Sequence, residues 1–149
     1  MDSIDKKILN MIQRNFPLVA APFQAVAEQV GIPEDEVIDR IGKMKQAGVI
    51  RRIGAVFDSR KLGYVSTLCA ARAPEEKLKA FVEAVNAYPG VTHNYRRNHD
   101  FNVWFTFIAP DQETLEKSLA DIRTKTGVAD IISMPAARTF KIDASFELE

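Results

Sequence analysis

The groups best suited to chemistry fall in one stretch, Gly90 to Ile108, which reads GVTHNYRRNHDFNVWFTFI. It holds both histidines of the chain, the only tryptophan and two adjacent arginines. Imidazole can move a proton near neutral pH or ligate iron inside a bound macrocycle. Guanidinium groups pair with carboxylates, and aromatic faces suit a flat ligand. The combination points to an anionic, planar substrate. The bland alternative is two surface or packing histidines with Tyr95, Phe101, Trp104, Phe105 and Phe107 mostly in a core. A metal site made by the protein alone is not expected, because Asp100 is the one carboxylate near His93 and His99.

These residues need a scaffold. Pro89-Gly90 opens the stretch and Asn98-His99-Asp100 interrupts its apolar pattern, so two strands joined by a turn are expected over 91–97 and 101–109. Arg96 and Arg97 then point to opposite faces, and at most one aims into a given pocket. Alternation also sets Trp104, with Asn102, on the opposite face from its neighbours. The register across the turn is open, and with it which histidine shares a face with Trp104.

The stretch lies within a predicted order of strand (64–72), helix (75–88), strand, strand, helix (111–125) and strand (128–142), the ferredoxin-like βαββαβ unit. Upstream, Ile4, Ile8, Leu9 and Ile12 mark one helix. Phe23, Val26, Ala27 and Val30 mark a second, and Val37, Ile38, Ile41 and Met44 a third. With a strand or wing over 49–57, this is a winged helix-turn-helix. The predicted fold is α+β, with a winged helix-turn-helix domain over 1–60 and a ferredoxin-like domain over 61–149. The other sheet face must be covered or line a ligand cavity, and a dimer is the expectation.

The third helix opens with Glu34, Asp35 and Glu36, with Asp39 following, which repels phosphate and counts against DNA binding. Arg40, Lys43 and Lys45 offset this in part, and Arg51-Arg52 could form a basic wing or join a polyanion site. Net charge is zero, with 46% hydrophobic and 27% charged residues, so no global field advertises a nucleic-acid or membrane partner. The first residues lack a signal-peptide core, so a cytoplasmic protein is expected. The single cysteine, Cys69, lies in an apolar run and reads as a buried, inert thiol.

The order of elements resembles the Lrp/AsnC group. Its regulators carry a glycine-and-aspartate effector turn between the second and third strands of the ligand domain. This chain has Asn98-His99-Asp100-Phe101-Asn102 there, with histidine in the glycine's place. The strings GVIRRIGAVFD (from Gly48), KLGY (from Lys61) and GVTHNYRRNHDFNVWFT (from Gly90) are similar to the siroheme decarboxylase branch, the Ahb/Nir type.

The resemblance implies an enzyme, a carboxy-lyase of alternative heme or heme d1 biosynthesis. It removes carbon dioxide from two acetate side chains of siroheme to give didecarboxysiroheme. It also implies a paralogous partner subunit in a heterodimer or higher heteromer, a homodimer being the alternative. No cofactor is required: the iron tetrapyrrole is the substrate, and heme is a candidate regulator. The implied catalytic residues are His99 and His93, either being a candidate axial ligand to the iron. The implied substrate-binding residues are Arg51, Arg52, Tyr95 and Arg96, joined in the candidate set by Asn102 and Trp104. His99 is the preferred proton donor because it occupies the effector turn, with His93 second. The arginines should hold spectator carboxylates and leave the reacting acetate ungripped, since pairing would stabilise its ground state. Two rivals are an Lrp/AsnC-type transcriptional regulator and a non-catalytic heme or tetrapyrrole sensor.

Overall fold

The computed structural model describes residues 1–149 as two compact units, residues 1–55 with 141–149 and residues 56–140.

In the first unit, α1 (Ser3–Ile12) starts at a capping box in which Asp2 and Asp5 each accept the other's backbone N–H. Helix α2 (Pro22–Val30) begins with proline at its first turn and stops at Gly31, whose φ of 81° is the left-handed conformation that terminates helices. Helix α3 (Glu34–Gln46) follows a short turn. Their shared core is Ile8, Leu9, Val26, Ala27, Val37, Ile41, Met44 and Ile50. Ile38, expected in that core, is half-exposed. The predicted wing does not form: residues 51–57 pair with no strand and are exposed, so the unit is a three-helix helix-turn-helix.

The tail also departs from expectation. Residues 141–149 join this unit, not the sheet: Asn10 and Gln13 on α1 each exchange two hydrogen bonds with the backbone of Leu148 and Phe146. Leu148 packs on the helical core.

The second unit is the βαββαβ order: β1 (Val65–Ala71), α4 (Glu75–Asn86), β2 (Val91–Arg96), β3 (Val103–Ala109), α5 (Gln112–Thr126) and β4 (Ile131–Pro135). The sheet is antiparallel in the order β2-β3-β1-β4. Strand β4 is shorter than the 128–142 expected, because it meets β1 only from Ala71 to Thr67 and ends on Pro135, which offers no N–H. Alternate residues of β3 (Val103, Phe105, Phe107, Ala109) join Phe81, Val85, Leu115, Leu119 and Ile122 in the core. Cys69 lies in that core, and burial pushes its thiol up to about 11. The other face carries Trp104, Thr106 and Ile108 from β3, with Leu68 and Ile132 at 42% and 44% exposure.

Gly90 brings β2 onto β3. A Cβ there would collide with the Ile108 carbonyl oxygen and lie 2.8 Å from the Phe107 ring, and the Ile108 N–H donates to the Gly90 carbonyl at 2.8 Å.

Candidate active site

Strand parity decides what the β2–β3 hairpin presents. Val91 pairs with the core residue Phe107, and plain alternation would turn His93 and Tyr95 inward with it. A bulge between Val91 and His93 resets the parity. His93 therefore stands opposite Thr106 and Tyr95 opposite Trp104, on the face away from the helices. The reset also turns Asn94 and Arg96 toward α4. There Asn94 donates to Asn86 at 2.9 Å, and Arg96 pairs with Glu75 at 2.8 Å. His93, not His99, is the histidine that shares Trp104's face.

On the open face the His93 and Tyr95 rings stack with centroids 6.1 Å apart. The Arg97 guanidinium lies over the Trp104 indole, 5.4 Å from its centroid. Trp104 is pinned by its own N–H, which donates to the Phe101 carbonyl at 2.7 Å. Arg97 has no ion pair, unlike Arg96. Sequence reasoning did not select Arg97; the tryptophan two pleats along the opposite strand was the available signal, readable only with the register known.

Asn102, which lines the clefts at the hairpin tip, also acts as a clamp. Its Nδ2 donates to the Ala73 carbonyl at 2.8 Å and its Oδ1 accepts the Ala73 N–H at 2.9 Å. Its carbonyl accepts the Arg97 N–H at 2.8 Å, closing the turn. The hairpin tip is thereby tied to the corner between β1 and α4.

The two histidines differ in how they are held. His99 Nδ1 accepts the Phe101 N–H at 3.1 Å, so the neutral ring carries its proton on Nε2. A second proton on Nδ1 would break that bond. His93 Nδ1 lies 3.0 Å from the Thr92 hydroxyl, which can accept or donate, so this ring keeps its partner whether neutral or charged. His99 lines an open cleft of about 630 Å³ with Arg72, Asn102 and Asp130. No contact joins it to His93, which lies about 10 Å along the strand from Arg96 before the turn begins. No three His, Cys, Asp or Glu side chains are grouped closely enough to hold a metal ion.

Arg51 and Arg52 belong to the helical unit, where both are exposed. In that unit Arg40 bonds Asp2, Asp5 and Glu36, each at 2.8 Å, and Lys43 bonds Asp39 at 2.6 Å. The three carboxylates hold the Arg40 guanidinium firmly protonated, while the capping-box N–H bonds first, and Arg40 second, hold Asp2 and Asp5 below the usual carboxylate range. No helix is long and apolar enough to cross a membrane.

Residues 5–51 match the siroheme decarboxylase NirDL-like HTH domain, and residues 61–141 match the AsnC-like ligand binding domain. The siroheme decarboxylase alpha subunit of Desulfovibrio desulfuricans is 48% identical over 149 residues, all of this chain and 86% of that one. The siroheme decarboxylase NirD subunit of Pseudomonas aeruginosa is 35% identical across the whole chain and 98% of its own length. The crystal structure of siroheme decarboxylase NirDL with an iron-uroporphyrin III analogue matches with a TM-score of 0.68 at 38% identity. That match covers 93% of this chain and 47% of NirDL, so this chain spans about half of the larger one. With both of its domains matched in this way, and a full-length relative nearly half identical, the chain belongs to the siroheme decarboxylase family, a branch of the Lrp/AsnC-like proteins.

Proposed function

We propose that the chain is a siroheme decarboxylase subunit, a carboxy-lyase that works with a paralogous partner and converts two acetate side chains of siroheme to methyl groups. The observation that carries this reading is the bulge that gathers His93, Tyr95, Trp104 and Arg97 on one open sheet face. That face offers flat aromatic surface, a cation and a proton carrier together. The partner subunit covers the rest of it, including Leu68 and Ile132. A solved NirDL chain about twice the length of this one is in keeping with two such units working together.

In each turnover the bond between the acetate methylene and its carboxylate breaks and carbon dioxide leaves. The electron pair stays on the methylene carbon, delocalised into the pyrrole, until a proton arrives to make the methyl group. His93 supplies that proton. Its imidazolium can donate from Nε2 while Nδ1–H remains bonded to the Thr92 hydroxyl, and water then recharges the ring. His99 has no such freedom, because charging it gives up the Phe101 N–H. This reverses the preference drawn from its place in the effector turn. His99 instead offers Nε2–H as a fixed hydrogen-bond donor to a peripheral carboxylate. Arg51 and Arg52, which form no ion pair in their own unit, are the remaining cations of the expected set.

The test is anaerobic incubation with siroheme, of this chain alone and copurified with its companion subunit, followed by mass analysis of the extracted pigment. The expected result is loss of one or two carbon dioxide units. A shifted spectrum at unchanged mass in both preparations would identify a tetrapyrrole sensor, and no change in either would return the chain to the regulators.

A further inference from the structure

We infer that Arg97, held against the Trp104 indole, is the substrate-anchoring arginine of the hairpin, and that it grips a peripheral carboxylate of the tetrapyrrole that does not react. The inference rests on the siroheme reading above and assigns one contact within it.

The two adjacent arginines are chemically identical and structurally opposite. Arg96 faces α4 and spends its charge on Glu75 at 2.8 Å. Arg97 faces the open side, and its guanidinium has neither a carboxylate nor a hydrogen-bond acceptor in the chain. The guanidinium lies within cation–π distance of the indole, which favours this position and leaves its N–H groups without a partner in the chain. Those groups match a carboxylate in bidentate fashion. Trp104 cannot turn away while its N–H is bonded to the Phe101 carbonyl, and the Asn102 bond to the Arg97 backbone fixes where the side chain leaves the strand. An anchor preorganised in this way orients the ring at little entropic cost, so that an acetate can lie against His93. Arg97 also lines, with Arg96, Asn98, His99 and Asn102, an open cleft of about 440 Å³, room for the carboxylate arm.

The experiment is a titration of the purified protein, with its companion subunit where one copurifies, with siroheme under anaerobic conditions. Binding is followed by the visible spectrum and turnover by pigment mass, for wild type, Arg97→Gln, Arg97→Lys and Arg96→Gln. Losing a charge-assisted pair should weaken siroheme binding by Arg97→Gln on the order of ten- to a hundred-fold, raising KM while kcat stays within a few-fold. Arg96→Gln should stay within about two-fold, since its partner is an exposed surface carboxylate. Arg97→Lys keeps the charge and stem but loses the planar fork, so it should be several-fold weaker, and it serves as the reading if Arg97→Gln does not fold. Undiminished affinity in the Arg97 variants, or a larger loss in Arg96→Gln, would overturn the assignment while leaving the decarboxylase reading intact. Wild-type protein that neither binds nor converts siroheme would overturn both.

Discussion

Helix α3 and the β2–β3 hairpin each carry basic side chains where a relative of the regulators would meet a ligand, and they treat those charges in opposite ways. On α3, Arg40 is bonded to three carboxylates and Lys43 to one, so among its basic side chains Lys45 alone is left without an ion pair. On the hairpin, Arg97 leans on an aromatic face and keeps its charge. A polyanion is attracted by unspent cations. The difference teaches that adjacent carboxylates mask most of the basic charge on α3, while the hairpin keeps an unpaired cation.

The comparison can be broken in several places. The largest effect should come from Gly90→Ala, whose added methyl meets the Ile108 carbonyl and Phe107 ring. Forcing β2 off β3 should cost about 3 kcal/mol, seen as a lowered denaturation midpoint, with loss of siroheme binding. A variant as stable as wild type would show that the hairpin is not held by this approach.

Next is Asn102→Ala, which leaves the Ala73 N–H and carbonyl without their partners. It should cost about 1–3 kcal/mol and raise KM for siroheme, because the hairpin tip loses its clamp. Unchanged KM would detach the clamp from the site.

The α3 side is sharpened by freeing Arg40. Glu36→Gln combined with Asp2→Asn and Asp5→Asn should increase retention on nonspecific DNA by a few-fold at low salt, with a salt slope steeper by about one charge. Strong retention by the wild type would mean that the carboxylates do not mask this helix.

The smallest effect concerns pH. Asp2 and Asp5 titrate below the usual carboxylate range when folded, so their contribution to stability is present above about pH 4 and fades as pH falls through their folded values. Asp2→Asn should flatten that acid limb in a denaturation series, and an unaltered limb would assign it to other groups.

Much of this architecture was legible from period and punctuation. Apolar spacing gave all five helices and the βαββαβ order, because those patterns follow directly from which side chains must leave water. The wing was not, because a strand requires a hydrogen-bonding partner and the apolar alternation of 49–57 says nothing of one. The tail was misplaced for a related reason: Asn10 and Gln13 look like ordinary surface residues of α1 until Leu148 and Phe146 reach them. Within the candidate site, residue types were readable but faces were not. One bulge residue flips every side chain after it, and nothing in VTHNYR announces a bulge. That single irregularity brought His93 and Tyr95 to Trp104 and sent Arg96 to Glu75.

The most direct test of the account is the single-turnover rate of decarboxylation of bound siroheme in His93→Gln and His99→Gln, each first shown by its spectrum to bind the substrate. If His93 is the acid, its variant should lose about 10²–10⁴ in rate while that of His99 stays within about ten-fold of wild type. A loss confined to His99→Gln, or equal losses in both, would contradict the division of roles drawn from their Thr92 and Phe101 partners.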